Sequence, residues 1–565
     1  MKKYLKIILI TLSFIAGCAN PLPPSGGPPD KTPPTVLETE PKNGTLNFSD
    51  NKIFVRFDKY MDKSKVAENI FISPTKNFTF DWSGKKLYIK FEESLDTNTT
   101  YCFTLGTDYT DIYQNKPAEA FQLTFSTGSS LDSGIIKGKL FDQSPQGVNI
   151  VAYRLEGINP DTLNPTHTKP YSRTQVGTSG NFEFRALKNG KYRVFAIRDK
   201  FKDGSYDEGI DGFGASPKDY AVTIDSVPYV FIKVGNPIDK SAPMLYSVES
   251  ISRRTLVANF SEELDSATIS PDVFVLTDST KSVVKKIISA YFTLKSAKQV
   301  IIHASEDLET NKKWLLKIST DSAHTITDTL GLKIQDSTSS AYFLASNDND
   351  TTKLQLFNYP VKDSSIDVNP DCELKYIFTA PIKSEEFNKR ISLEQSGISE
   401  NVAILITKKT DNVFTVKPKA ILANEAWYTL NFRADSLYSV NGVRCKDSIY
   451  KFRFKTKDIR NYGGVKGTIK NLPDKGRNYY LIMRSKDGKN EFKTPFKQNS
   501  EWEFQNVPPA LYTFEIFEDL DGDGKYSYGR AFPFKPSERF YSAEKEIEIK
   551  PRWIVEGVTL IWLDK

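Results

Sequence analysis

Ile53-Phe54-Val55-Arg56-Phe57, followed by Met61-Asp62, is an alternating run that ends on an aromatic and leads through a polar stretch to an apolar residue. The phrase returns as Leu256-Val257-Ala258-Asn259-Phe260 with Leu264-Asp265, and again as Leu374-Lys375-Tyr376-Ile377-Phe378 with Ile382. Period-two alternation sends one face to a core and the other to water, so each phrase predicts a half-buried strand. Farther on, each copy carries an apolar residue, an Asn and an aromatic at intervals of 3: Leu95, Asn98, Tyr101; Leu308, Asn311, Trp314; Ile421, Asn424, Trp427. Each copy closes on another alternating strand, at 121–125, 341–345 and 450–454. Several short strands within roughly 100 residues describe a β-sandwich, and the recurrence describes a repeat protein.

These three copies resemble bacterial Ig-like domains of the S-layer-associated type, over residues 34–128, 240–346 and 347–458. The resemblance implies a sandwich fold and no chemistry, with the aromatics in the cores. A second repeat occupies 134–236 and 460–565, opening on Ile136-Lys137-Gly138 and Val465-Lys466-Gly467. Residues 181–209 align with 501–529 without a gap. Phe182-Glu183-Phe184 falls on Trp502-Glu503-Phe504, Tyr192 on Tyr512, Asp199 on Asp519, Asp203-Gly204 on Asp523-Gly524, Tyr206 on Tyr526 and Gly209 on Gly529. That phrase resembles the transthyretin-like, or carboxypeptidase-regulatory, β-sandwich, a module that accompanies other domains and performs no chemistry. The expected fold is therefore all-β, with tandem Ig-like and transthyretin-like sandwiches. Pro34, Pro243 and Gly128-Ser129-Ser130 mark short linkers, which favour a semi-rigid rod.

The N-terminus reads as an address. Lys2, Lys3 and Lys6 precede an apolar run at 7–15 that is too short to span a bilayer, and Ile15-Ala16-Gly17-Cys18 follows. Small residues before a Cys resemble the bacterial lipoprotein box. The resemblance implies a signal peptide at 1–17 and lipidation of Cys18, whose acyl chains attach the protein to the membrane. Residues 18–33 are rich in Pro and Gly and read as a tether. Surface-displayed lipoproteins of the Bacteroidota tend to carry acids just after the Cys; the first acid here is Asp30, so the periplasmic and cell-surface faces of the outer membrane both stay open.

Composition limits the chemistry. The 565 residues predict roughly four or five domains, and 27 Tyr with 37 Phe favour strands. Only 3 His are present, so a His-based site has little material. Without Lys2, Lys3 and Lys6 the net charge falls from +6 to +3, which implies no basic face and no nucleic-acid partner. No nucleophile elbow and no Gly-rich phosphate loop occurs.

One constellation could hold an ion. Asp519, Asp521 and Asp523 alternate before Gly524-Lys525, like the front half of a Ca²⁺ loop. Position 12 is Arg530, where an EF-hand needs a bidentate Glu. A β-hairpin loop with Asp519, Asp521, Asp523 and the Lys525 carbonyl as ligands is one reading, and a polar turn is the other. The sister copy has Phe201 in the middle position, leaving Asp199 and Asp203, with Asp207 and Glu208 downstream. Any such ion would be structural, and no cofactor is otherwise required. Cys372 and Cys445 are a candidate disulfide for an exported protein, and Cys102 reads as a buried thiol.

These readings point to a non-enzymatic outer-membrane lipoprotein, a scaffold or protein-binding module in the cell envelope. A specific version is an accessory subunit of an outer-membrane assembly or secretion complex, docking through a strand edge. The alternative is binding of a polysaccharide or of peptidoglycan, for which Trp82, Trp314, Trp427, Trp502, Trp553 and Trp562 are the candidate platforms.

Overall fold

The computed structural model describes residues 30–563, apart from 238, 281, 311, 322–323, 475, 498–500 and 544. Cys18, the signal peptide and most of the tether lie outside the described residues, as does Asn311. Strand accounts for 46% of the chain and helix for 4%, so the fold is all-β. Five hydrophobic clusters each gather side chains from a pair of facing sheets, which makes five tandem sandwiches.

The first, third and fourth sandwiches share a plan. In the first, strands Val36–Glu40, Lys52–Phe57, Lys86–Phe91 and Phe78–Ser83 lie side by side in that order. They face Ile70–Ser73, Thr100–Leu105 and Phe121–Ser126. The recurring phrase at the end of the second strand now has a mechanism. Met61, Leu264 and Ile382 are buried plugs. The acid after the first two caps a short helical turn: Asp62 accepts the Lys65 amide and Asp265 the Ala267 amide. In the fourth sandwich Lys383 stands at that position and caps nothing, and the turn Ser384–Asn388 is held by its buried Phe387.

The apolar–Asn–aromatic phrase is corrected in the fourth sandwich. Tyr101 is buried, and its hydroxyl accepts the amide of Asp96, five residues back. The buried residue that does this in the fourth sandwich is Tyr428, which accepts the amide of Ala423. Tyr101 stacks on Phe125 at 5.8 Å, and Tyr428 on Phe454 at 5.7 Å. Glu425 has φ +52° where Asn98 has φ +49°. The equivalent set is thus Leu422, Glu425 and Tyr428, one residue beyond Ile421, Asn424 and Trp427. A one-residue slip reverses the face of every side chain, so Trp427 points away from the core.

The second and fifth sandwiches share another plan. Asn181–Leu187, Gly134–Leu140 and Tyr229–Ile232 form one sheet, and Glu501–Val507, Gly463–Lys470 and Ile554–Ile561 form its counterpart. In each, the first strand of the repeat pairs in parallel with the last. The shared Gly follows from packing: a Cβ on Gly138 would lie 2.2 Å from the Phe182 ring, and one on Gly467 would lie 1.9 Å from the Val558 carbonyl oxygen and 2.8 Å from Trp502. Tyr192 and Tyr512 are both buried and donate to carbonyls four residues back, Lys188 and Pro508.

The chain divides into two compact units. Of the described residues, the first comprises 30–237 with Phe517–Phe540 and Leu563; the second comprises those of Asp239–Ile516 with Tyr541–Trp562. Within the first, Phe517–Phe540 packs on the outer side of the second sandwich. Ala531 joins the cluster of Val151, Tyr153, Phe195 and Phe213. The Arg193 guanidinium lies 3.5 Å over the Phe534 ring, and the Ala215 amide donates to the Tyr528 carbonyl at 2.8 Å. No helix among the described residues is long and apolar enough to cross a membrane.

Candidate functional site

Strand Ala510–Asp519 delivers Asp519 to the start of a loop whose return leg brings Glu538 back beside it. Asp519, Asp521 and Glu538 each offer an oxygen, and these lie within 4.8 Å of one another. The ligand set read from the sequence changes accordingly. Asp523 turns back to accept the Lys525 amide at 2.6 Å and is not in the group. Glu538 replaces it and was missed, being 15 residues downstream of Asp523.

Glu538 has a further task. Its carboxylate accepts the Leu520 amide at 2.6 Å and the Ser527 amide at 2.9 Å, stapling the loop. The sister loop is stapled in the same way. Asp211 accepts the amides of Lys200 and Asp207, which align with Leu520 and Ser527. The two staples fall outside the ungapped alignment because the second loop is longer. The remaining difference is the cation. In the first loop Arg173 reaches Asp199 at 3.7 Å and donates to the Gly204 carbonyl at 3.0 Å.

Burial, aided by Asp521 and Asp519, pushes the Glu538 carboxyl up to about 7. A carboxyl raised above its unfolded value of 4.5 stabilises the fold at low pH, and that contribution is lost as pH rises from about 4.5 through about 7. A bound divalent cation would favour the ionised form and reverse the loss. The melting temperature in chelator should therefore fall between pH 5 and pH 7.5, and Ca²⁺ should restore it at pH 7.5. The exposed Asp521→Ala should abolish the restoration, and Glu538→Gln should flatten the pH dependence. Ca²⁺ titration calorimetry without heat would remove the ion and leave the staple alone.

The sulfurs do not meet. Cys102, Cys372 and Cys445 are free thiols. Cys372 precedes strand Leu374–Phe378, whereas Cys445 bridges Leu354, which lies beyond the far end of that strand. Strand rise separates the two ends by about 25 Å, and a disulfide needs Cα atoms within about 7 Å. The expected Cys372–Cys445 bridge is therefore corrected to two separate thiols. Burial pushes the Cys372 and Cys102 thiols up to about 11, which favours the protonated form of both at neutral pH.

Of the tryptophans, Trp314, Trp502 and Trp562 are buried, Trp82 and Trp427 are half-buried and Trp553 is exposed. A cleft of about 760 Å³ in the second unit is lined by Phe292, Phe357, Glu373, Lys375 and Lys409, a mixture of both charges around two rings.

Consecutive sandwiches within a unit are joined by buried and part-buried polar contacts. In the first unit Gln175 Oε1 accepts the amides of Thr107 at 2.8 Å and Asp108 at 3.2 Å. Thr107 Oγ1 donates to the Val176 carbonyl at 2.7 Å. The Arg173 guanidinium covers the Phe71 ring at 4.4 Å. In the second unit Asp411 accepts the Ala290 amide at 3.0 Å, and Thr255 donates to Asp350 at 3.0 Å. His303 completes that junction. It is buried, bonded through Nδ1 to Thr255 and through Nε2 to Tyr291, both at 3.1 Å. Burial lowers it to about 4, so it stays neutral and serves as packing.

The bacterial Ig-like domain model matches residues 30–127 and 350–456, which are the first and fourth sandwiches. Those two segments are bacterial Ig-like domains, and the third sandwich repeats their strand order. No curated protein matches the chain. Among solved structures, the N-terminal part of the bacterial S-layer protein SbsC is 14% identical over 39% of this chain and 45% of that one, with a TM-score of 0.17. The chain thus spans less than half of that structure. Native alpha-2-macroglobulin from Escherichia coli, domains MG0-NIE-MG1, is 11% identical over 35% of this chain and 90% of its own, at 0.18. L,D-transpeptidase 1 of Mycobacterium tuberculosis is 10% identical over 34% and 90%, at 0.15. The fold assignment rests on the sheets and cores above, not on these likenesses.

Proposed function

We propose that this chain is a non-enzymatic scaffold of a bacterial cell envelope, an outer-membrane lipoprotein anchored through Cys18. Its Ig-like sandwiches, and a second and fifth sandwich of transthyretin-like type, hold a binding surface for another envelope protein, as an accessory subunit of an assembly or secretion complex. The observation that carries this reading is the pair of polar junctions, buried in the first unit and part-buried in the second. Gln175 against Thr107 and Asp108, and Asp411 against Ala290, fix the spacing of neighbouring sandwiches. Buried hydrogen-bonded contacts of this kind resist hinge motion, because breaking them strands desolvated amides. A Ca²⁺ held by Asp519, Asp521 and Glu538 would stiffen the loop of the fifth sandwich and take no part in a reaction.

Mass spectrometry of the N-terminal peptide from the membrane fraction tests the placement. An acylated Cys18 is expected, and an unacylated mature terminus would overturn it. Capture from detergent-solubilised membranes tests the scaffold: a stoichiometric envelope protein should co-purify, and recovery of the chain alone speaks against it.

A further inference from the structure

The slip that turns Trp427 outward exposes a face that net charge hides. In the fourth sandwich, strands Ile449–Thr456, Trp427–Arg433 and Ile391–Gln395 are neighbours in one sheet. Tyr428, Leu430 and Phe432 pack inward with Phe452 and Phe454. Alternation therefore gives the other face Lys451, Arg453 and Lys455 from one strand and Trp427, Thr429, Asn431 and Arg433 from the next. Register sets Lys455 beside Trp427, Arg453 beside Thr429 and Lys451 beside Asn431. Ser392 and Glu394 continue the face on the third strand.

Charge on this face is mostly basic. Arg433, Lys451, Arg453 and Lys455 enter no ion pair among the described residues, and on these three strands the face carries one carboxylate, Glu394, which accepts from Asn431 Nδ2 at 2.8 Å. The neighbouring strand Ser365–Val368 adds the exposed Asp367, and Asp363, at its margin, accepts the Arg453 amide. The Arg453 guanidinium lies 4.3 Å over the Trp427 ring.

We propose that this face binds an anionic polysaccharide, with Lys451, Arg453, Lys455 and Arg433 meeting its charges and Trp427 and Thr429 meeting its sugar rings and hydroxyls. Alternate cations on a strand stand about 7 Å apart, a spacing suited to a polymer with a carboxylate, sulfate or phosphate at regular intervals along its rings. A protein partner fits less well, because interface cores are depleted of Lys and built on apolar anchors. The apolar groups on these three strands are few, Trp427, half-buried, and Ile449 at the edge. The proposal rests on the envelope placement only for where such a polymer is met. Binding by the purified chain is measured without a membrane, so the two fail separately.

The test uses polygalacturonate and dextran sulfate as anionic probes and neutral dextran as the control, over a range of NaCl. Binding of at least one anionic polymer is expected, weakening as salt rises, with none to dextran. The double substitution Lys451→Glu, Lys455→Glu should weaken it at least tenfold, and Trp427→Ala several-fold, with the melting temperature unchanged. Lys52→Glu with Lys90→Glu, on the exposed face of the first sandwich, should leave it as it was. The proposal is overturned if neither polymer binds at low salt, or if the two double variants weaken binding equally.

Discussion

Gly177→Ala is expected to break the join between the first two sandwiches while leaving each one folded. A Cβ at Gly177 would stand 1.8 Å from the Ala118 carbonyl oxygen and 2.9 Å from its carbon. Both are backbone atoms that cannot swing aside as a side chain does. The turn after strand Ser172–Gln175 must then retreat from 118–119, drawing Gln175 away from Thr107 and Asp108. Overpacking of this kind costs about 1–3 kcal/mol, and stranded buried amides add roughly 1–3 kcal/mol each. Limited proteolysis should show new cleavage around 106–120, with far-UV dichroism unchanged. Gln175→Ala should move in the same direction. Wild-type resistance in both variants would mean that the junction bears no load.

Phe387→Ala is expected to cost about 3–5 kcal/mol, all of it in the fourth sandwich. Phe387 is the one buried side chain of the turn Ser384–Asn388 and is fully enclosed. It stacks on Phe414 at 4.2 Å with 8° between the planes, and meets Phe432 at 5.1 Å and Tyr376 at 5.3 Å. Three strands thus converge on one ring, and no polar cap holds the turn if it goes. Urea unfolding followed by hydrogen exchange should show residues 374–456 opening first. Phe357→Ala, at a ring that is 53% exposed, should shift the midpoint little. Equal effects would contradict the packing account.

Fold and site were unequally legible in the sequence, for physical reasons. Strands such as Lys52–Phe57 and Gly463–Lys470 announce themselves because a half-buried strand repeats every second residue. The conserved spacing in the fourth sandwich misled by one position, since Trp427 and Tyr428 are adjacent aromatics and only burial separates them. Glu538 carried no local signal; its partners are backbone amides, which any sequence supplies, and only Asp211 in the sister loop shows the pattern. The expected Cys372–Cys445 bridge came from the chemistry of an exported chain, and strand direction forbids it. The basic face was invisible for a similar reason. A net charge near zero averages over all faces, while alternation collects four cations on one of them.

The central claim is that the first and second sandwiches, and the third and fourth, are each held at fixed spacing within their unit, and three amides report on it directly. Thr107 and Asp108 donate to Gln175, and Ala290 to Asp411, each across a junction. Site-resolved hydrogen exchange under native conditions should find them protected to the degree of core strand amides such as Phe103. Exchange of all three at the rate of the linker residue Ser129 would show free beads on a chain and contradict the account.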